Sequence, residues 1–177
     1  MSIVTRTGDQ GMTVLMYNRR VRKSHPRVEA YGAVDELNAA IGLARAGSAD
    51  ELVQEGLAAV QKDLVRLMGE LATAVEDLPR YVKDGHELVA SAMTRRLEDL
   101  VGSIEAAKVA PGGWATPGAN TASAALDLAR TVCRRAERRA CALHDTGQLQ
   151  NLEIMIYLNR LSDLLWLLAR WVEAKPR

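Results

Sequence analysis

The sequence predicts an all-α protein, a five-helix antiparallel bundle in one domain. Apolar residues make up 48% of the chain and aromatic residues 4%, with no phenylalanine. This composition, dominated by alanine and leucine, favours long helices. After Pro26, apolar residues recur at spacings of three and four, and no strand pattern competes. A chain of 177 residues is most simply one domain. We assign residues 1–25 to a loop segment and 26–177 to the bundle.

The N-terminal segment differs in composition from the rest of the chain. Hydroxyl side chains and glycines lie at close spacing, and a basic stretch over 19–23 follows them. The pattern predicts a loop or short extended chain with exposed backbone amides. Its small and polar residues are Thr5, Thr7, Gly8, Asp9, Gly11 and Thr13.

Helical periodicity divides the remaining residues into five segments. Gly47 ends the first, and Pro79 closes the second. Proline and glycine at 111–113 and 117–118 mark a long loop before the fourth. The predicted helices cover residues 26–47, 50–75, 85–106, 121–143 and 152–173.

Several classes of protein are disfavoured by the composition. No run of about 18 apolar residues predicts a membrane span, and the N-terminus lacks the zones of a signal peptide. Cys133 and Cys141 lie eight residues apart on one predicted helix, about 12 Å of rise and too far for a disulfide. We therefore expect a reduced, cytoplasmic protein. His25, His86 and His144 make no metal-ligand spacing with each other or with the cysteines.

The predicted fourth helix carries five arginines on a nearly neutral chain. Lysine and arginine total 23 against 22 acidic residues, which favours a dedicated anion site over a general nucleic-acid surface. Two interpretations remain open: a solvated face with i,i+4 ion pairs, or a stripe of guanidinium groups that binds phosphate. At 100° per residue, one side of the helix carries Arg130, Arg134, Glu137 and Arg138, while Arg135 and Arg139 point elsewhere.

Polar residues also border the apolar seams of the first and fifth predicted helices. Asp35 and Asn38 are three residues apart on the first, and Asn159 and Asp163 are four apart on the fifth. Such positions are costly unless partnered, and pairing of Asp35 or Asp163 with the arginines across helices would supply a partner. Any one stripe is explained by capping or ion pairs. Three stripes together with the Thr/Gly-rich loop favour a pocket that binds a polyanion.

The N-terminal loop is a candidate for cradling phosphate. Its amides and hydroxyls over 5–13 lie at close spacing, and Lys23 adds a point charge. The chain has no Gly-x4-Gly-Lys-Ser/Thr run and no Gly-x-Gly-x-x-Gly run. A nucleoside triphosphate would therefore bind through an unusual loop together with the arginine helix.

Five longer motifs make the chain recognisable. They are Thr-Arg-Thr-Gly-Asp-x-Gly-x-Thr at 5–13, Arg-Val-x-Lys at 20–23, Arg-Val-Glu-Ala-Tyr-Gly-x-Val-Asp-Glu-Leu-Asn at 27–38, Ala-Arg-Thr-Val-Cys-Arg-Arg-Ala-Glu-Arg at 129–138 and Tyr-Leu-Asn-Arg-Leu-Ser-Asp at 157–163. Together they strongly resemble the PduO-type ATP:cob(I)alamin adenosyltransferases, in order and over nearly the whole chain. Residues 48–110 match more loosely.

The resemblance implies a homotrimer with active sites between subunits, and transfer of the 5′-deoxyadenosyl group of ATP to the cobalt of a reduced corrinoid. It implies an ion pair between Asp35 and Arg130 across the subunit boundary, beside the corrinoid. It implies that Glu137 touches the nucleotide or its Mg²⁺. A reductase and an adenosylcobalamin-dependent mutase would be further partners. The other implied nucleotide contacts are Thr5, Arg6, Thr7, Gly8, Thr13, Val14, Lys23, Arg134, Arg135, Arg138 and Asn159.

Some positions depart from the family's pattern. An aromatic residue before the Pro-Gly of the long loop displaces the corrinoid's lower axial ligand in this family, and here that position falls on Trp114, where phenylalanine is usual. Asn18 replaces a usual glycine, although asparagine also tolerates positive φ. Asp127 stands where histidine is common, so the resemblance leaves its role open.

Two other functions remain as alternatives. One is a delivery protein that hands adenosylcobalamin to a dependent mutase, and multiple turnover with and without an acceptor would separate it from the enzyme. The other is a helical interaction module without chemistry, which would leave the Thr/Gly-rich loop and Asn159 unexplained. In the enzyme, the reduced cobalt is the nucleophile, and no Ser, Cys or Lys nucleophile is needed.

Overall fold

A computed structural model describes residues 4, 6–108 and 114–175, and these are mostly helical, as predicted. Thr5 and the Pro-Gly-Gly turn at 111–113 lie outside the described residues. None of the described helices is long and apolar enough to cross a membrane. The α-helices are α1 (Pro26–Ala46), α2 (Glu51–Leu71), α3 (Leu78–Lys83), α4 (Ser91–Ala106), α5 (Thr121–Asp145) and α6 (Glu153–Ala174).

The N-terminal segment forms a β-hairpin. Strands β1 (Met12–Val14) and β2 (Arg20–Arg22) pair antiparallel. Of the two forms predicted there, loop or short extended chain, these residues adopt the extended one. Between them, Tyr17 and Asn18 have φ of 60° and 59°. Asparagine tolerates this left-handed backbone, as expected for Asn18, whereas for a bulky ring such as that of Tyr17 it is uncommon.

The predicted boundaries hold within two residues for α1, α5 and α6 but are wrong between α2 and α4. Helix α2 ends at Leu71 rather than at residue 75. Pro79 does not close it, because it lies in the first turn of α3, where a proline is tolerated. Helix α4 begins at Ser91 rather than at residue 85. The reason is that the Val89 amide donates to the buried Glu70 carboxylate at 2.7 Å instead of entering a helix.

The five long helices surround a shared apolar core, to which Leu37, Leu64, Leu97, Leu126 and Leu161 each contribute a buried side chain. Burying one such leucine contributes about 1.5–3 kcal/mol. Neighbours follow one another around the bundle in the order α1, α2, α4, α6 and α5. The short α3 adds a sixth helix to the five that were predicted.

Most neighbouring helices are antiparallel, but α4 and α6 run parallel. The beginnings of both helices meet where Thr94 donates to Glu153 at 3.5 Å, and further along both helices Arg160 donates to Glu98 at 3.1 Å. Five helices that alternate in direction around a closed ring must leave one parallel pair. The predicted antiparallel arrangement is therefore wrong for α4 and α6.

The two ends of the bundle carry different loops. The Met16 amide donates to the Ala72 carbonyl at 3.0 Å, so the hairpin docks where α1 begins and α2 ends. The segment 114–120 enters α5 at the opposite end. There the Asn120 side chain caps α5 and also donates to the Val172 carbonyl of α6 at 3.3 Å.

Candidate functional site

An open cavity of about 920 Å³ lies beside the hairpin. Its volume is within the range of small-molecule sites. Every described loop residue that the sequence assigns to the nucleotide lines this cavity, and four neighbouring residues complete the wall. The assigned residues are Arg6, Thr7, Gly8, Thr13, Val14 and Lys23; the others are Val4, Asp9, Met12 and Arg20.

Lys23 and the loop backbone are held close together. The Lys23 amide donates to the Gly11 carbonyl at 2.9 Å, and the Gly11 amide donates to the Gly8 carbonyl at 3.1 Å. A Cβ placed on Gly8 would lie 3.0 Å from the Lys23 ammonium. Gly11 has a φ of 73°, which other residues rarely adopt. The glycines therefore let the Lys23 ammonium lie close to the loop backbone, an arrangement suited to binding an anion.

The tip of the hairpin is fixed to the segment that follows α2. The Tyr17 hydroxyl donates to Asp84 at 3.1 Å, and the Arg80 guanidinium lies 4.3 Å from the Tyr17 ring centre. Arg19 pairs with Asp77 and, through this hydrogen bond, lowers the pKa of the Asp77 carboxyl. Sequence analysis missed these positioning residues, because their partners lie 58 to 67 residues away.

Arg27 anchors the first turn of α1 directly below the hairpin. Its guanidinium is buried and donates to the Leu71 carbonyl at 2.8 Å and to the Gln148 carbonyl. Desolvation lowers the pKa of Arg27. The residue belongs to the Arg-Val-Glu-Ala-Tyr-Gly motif, and its place in that motif was the one signal of its importance in the sequence.

The arginines of α5 divide between two surfaces, as the helical periodicity predicted. Arg135 pairs with Glu36, and Arg139 lies 3.7 Å from Glu29, so both face α1. Because Arg135 contacts α1 in this chain, its assignment to the nucleotide stays a prediction. Within the described part of α5 no i,i+4 ion pair forms, so the interpretation as a salt-bridged helix face loses its main support.

Arg134 and Arg138 are exposed, and no ion pair to another described residue engages either of them. Two cations that face solvent without a carboxylate are available to an external anion. None of the residues that line the hairpin cavity comes from α5 or α6. Within one chain, therefore, the loop and the arginines of the predicted pocket do not line the same cavity.

A second polar face lies where α5 meets α6. The buried Cys133 thiol donates to the Leu158 carbonyl at 3.2 Å, which places the neighbouring Asn159 next to α5. Burial raises the pKa of the Cys133 thiol far above its ordinary value, with a smaller effect from Glu137 and with Arg134 acting in the opposite direction. Arg134, Glu137 and Asn159 thus border the same region of the α5–α6 surface, and their shared role at a nucleotide stays a prediction.

The cross-helix ion pairs expected within one chain do not form. Asp163 pairs with Arg160 at 3.0 Å on its own helix. Asp35 is exposed on α1, and among the described residues no arginine pairs with it. Arg130 pairs with Asp127 at 3.0 Å, three residues earlier on α5. The pairing of Asp35 with Arg130 across a subunit boundary, which the resemblance implies, stays a prediction.

The corrinoid side of the prediction rests on Trp114 and on the pair formed by Asp35 and Arg130. Trp114 is 96% exposed on the segment that leads into α5. A groove of about 490 Å³ between α1 and α5 is almost entirely apolar, with Leu43 and Leu128 exposed on its two sides. Concave apolar surfaces of this size are candidates for ligand binding.

Glu137 was assigned to Mg²⁺. Among the described residues, no group of three or more His, Cys, Asp or Glu side chains is placed to hold a metal ion. The assignment of Glu137 to Mg²⁺ stays a prediction; Mg²⁺ commonly takes only one or two carboxylates from the protein and keeps several waters.

Comparison with known proteins decides the family. The sequence model described as cobalamin adenosyltransferase matches residues 3–172. The chain belongs to this family. The resemblance drawn from the five motifs is confirmed, and the match runs through residues 48–110 as well.

Relatives in this family share about two-fifths of the sequence. The corrinoid adenosyltransferase PduO of Salmonella typhimurium is 40% identical over 173 residues, which are 96% of this chain and 49% of the relative. The chain therefore spans about half the length of this relative and of the PduO protein of Citrobacter freundii. The corrinoid adenosyltransferase of Mycobacterium tuberculosis strain H37Rv is 39% identical over 171 residues, 95% of this chain and 86% of the relative.

A solved structure supports the same family at the level of the fold. A variant of the PduO-type ATP:corrinoid adenosyltransferase from Lactobacillus reuteri, complexed with cobalamin and ATP, superposes with a TM-score of 0.85 at 30% identity. The superposition covers 97% of this chain and 91% of the other. The chain thus has the fold of a family member that binds both ligands.

Proposed function

We propose that the protein transfers the 5′-deoxyadenosyl group of ATP to the cobalt of cob(I)alamin, giving adenosylcobalamin and triphosphate. The observation that carries this proposal is the cavity beside the hairpin. Its wall holds Lys23 and every described loop residue that the family motifs assign to ATP. Family membership supplies the reaction, and this cavity supplies a place for the nucleotide.

The complete site lies between subunits of a homotrimer. The loop cavity draws nothing from α5 or α6, while Arg134 and Arg138 face solvent. A neighbouring subunit that brings its arginine helix to the loop of the first would close the phosphate pocket. This arrangement also gives Asp35 a route to Arg130 of the next copy. It accounts for charges that find no partner among the described residues of one chain.

At the phosphate end, the task of the protein is to bind and stabilise negative charge. Lys23, Arg134 and Arg138 supply positive charge, and backbone amides near Gly8 would donate hydrogen bonds to the phosphates. Such groups favour departure of triphosphate because its charge develops at positions they already face. Glu137 would hold Mg²⁺ together with the phosphates, and the ion supplies further charge neutralisation there.

At the corrinoid end, the protein orients and excludes water. The cobalt is the nucleophile, so the chain must place C5′ of the ribose in line with it. The apolar groove between α1 and α5 offers a surface from which a bound macrocycle would displace water. Trp114 would fill the space of the lower axial ligand, and Asp35 with Arg130 would fix the boundary beside it. The two cysteines are free in the structure, in keeping with a cytoplasmic setting.

The proposal is tested by mixing the protein with ATP and chemically reduced cobalamin. Formation of adenosylcobalamin is followed by its absorbance, and triphosphate is separated from phosphate and pyrophosphate by chromatography. Equimolar adenosylcobalamin and triphosphate are expected over many turnovers. A single turnover that resumes only when an acceptor mutase is added would favour the delivery function instead. Absence of both products would overturn the proposal.

A further inference from the structure

Asp127 is a buried carboxylate that contacts two arginines. Only 3% of its surface is exposed. Its Oδ1 accepts a 3.0 Å hydrogen bond from Nε of Arg130, and its Oδ2 accepts a 2.7 Å hydrogen bond from Nη2 of Arg170. The carboxylate therefore joins the inner surface of α6 to an arginine that the family motifs place at the active site.

Arg170 gives this carboxylate a rigid support. Its side chain is 1% exposed, and it also contacts Glu173 at 2.8 Å. Its buried Nη1 has no hydrogen-bond partner among the described residues. Burial of this charge is costly, and an apolar pair would commonly be at least as stable. A role beyond stability is therefore the better explanation for Asp127 and Arg170.

The contact with Asp127 determines how Arg130 is presented. The side chain of Arg130 is 27% exposed. Its Nε is engaged, while its two terminal amino groups make no hydrogen bond to a described residue. A guanidinium is planar, so fixing Nε fixes the plane and the direction of the remaining donors. Those donors are left available for a group outside the chain.

We propose that Asp127 and Arg170 are positioning residues, which hold the guanidinium of Arg130 in the orientation needed at the corrinoid side of the site. The inference rests on the proposed function and adds to it the element that orients Arg130. The resemblance left the role of Asp127 open, because histidine is common at this position in the family. In this chain, a carboxylate with a buried arginine behind it would do the orienting.

The test is Asp127→Asn, measured against a matched control. Asp63→Asn removes another buried carboxylate, one that accepts from Arg96 and Tyr157 on the far side of the core. Both variants should lose thermal stability. Only Asp127→Asn should weaken corrinoid binding, by about tenfold or more in KM and in direct titration, with KM for ATP unchanged. Equal effects of both variants on corrinoid binding would mean that lost stability is the cause, and would overturn the inference.

Arg130→Lys is a second variant that should still fold, because Arg130 is partly exposed and the change preserves its charge. Lysine cannot reproduce the fixed fork, so it should raise KM for the corrinoid as Asp127→Asn does, and combining the two should add little. A wild-type KM in Arg130→Lys, or strict additivity, would overturn the positioning role. Failure of the wild-type chain to make adenosylcobalamin would instead refute the proposed function, and this inference with it.

Discussion

The hydroxyl of Tyr17 donates a 3.1 Å hydrogen bond to Asp84, 67 residues later in the chain. This contact, with the Arg80 guanidinium over the ring, ties the turn of the hairpin to the end of α3. The strands on either side carry residues that line the proposed nucleotide cavity. Through this contact, the end of α3 therefore helps to hold the proposed ATP loop in place.

Tyr17→Ala should raise KM for ATP several-fold and leave kcat unchanged. The variant loses both the ring and the hydroxyl, and exposed contacts of this kind are worth about 1 kcal/mol or less each. Tyr17→Gly is the matched control, since it loses the same contacts but adopts a φ of 60° without strain. The glycine variant should unfold at a higher temperature than the alanine variant. An unchanged KM for ATP in Tyr17→Ala would show that the loop is ordered without this contact.

Arg134→Ala should lower kcat/KM for ATP by about ten- to hundredfold, the value of a charge-assisted contact. The bundle should stay folded, because Arg134 is exposed and the apolar face of α5 is untouched. Arg139→Ala removes the same charge from the same helix but on the side facing Glu29. It should retain nearly full activity in steady-state assays. Similar losses in both variants would point to net charge rather than to a phosphate contact.

Trp114→Ala should leave ATP affinity largely intact and cripple the reaction that starts from Co(II). Alanine cannot fill the volume vacated by the axial ligand, whereas Trp114→Phe should retain most activity. Because the side chain is 96% exposed, its removal should hardly change the melting temperature. Spectra of bound Co(II)alamin with ATP decide the matter. Four-coordinate cobalt at wild-type levels in the alanine variant would exclude Trp114 as the displacing residue.

Subunits carrying Asp35→Asn and subunits carrying Arg130→Ala should each be poorly active alone. Mixed before assembly, they should regain part of the activity, because some boundaries then combine an intact Asp35 with an intact Arg130. Such complementation requires that the two side chains meet across the boundary. Pairing within one chain predicts no gain on mixing, whatever the ratio of the two subunits.

Cys133 should be inert toward thiol reagents near neutral pH. Burial raises its pKa, so the neutral thiol persists and the reactive thiolate appears only as the pH approaches that raised value or the chain unfolds. Cys141, which is partly exposed, should account for any labelling of the native protein. A Cys141→Ser variant should take up reagent only after denaturation. Rapid labelling of that variant in the native state would contradict the burial of Cys133.

The parts of the fold that the sequence predicted well are those decided locally. Helix α1 ends at the Gly47 cap, and helix α5 begins after the Asn120 cap. The errors between α2 and α4 have long-range causes, because the Val89 amide donates to the Glu70 carboxylate, 19 residues earlier in the sequence. No local pattern reports such a contact.

The candidate site divides in the same way. The loop residues were predicted because they lie close together in the sequence, and the structure places the described ones around one cavity. The contact between Asp127 and Arg170 was not predicted, because 43 residues separate the two. The expected partner of Asp163 was wrong, since Arg160 on the same helix is nearer than any arginine of α5.

The placement of the two loops at opposite ends of the bundle gives the reaction a direction. Helix α5 runs from the end with Trp114 toward the end with the hairpin, and Arg130 and Arg138 are separated along it by about 12 Å of rise. In the proposed site, ATP would therefore lie lengthwise along α5, with its ribose toward Arg130 and its last phosphate toward Arg138. Triphosphate would then form nearer the hairpin and adenosylcobalamin nearer Trp114.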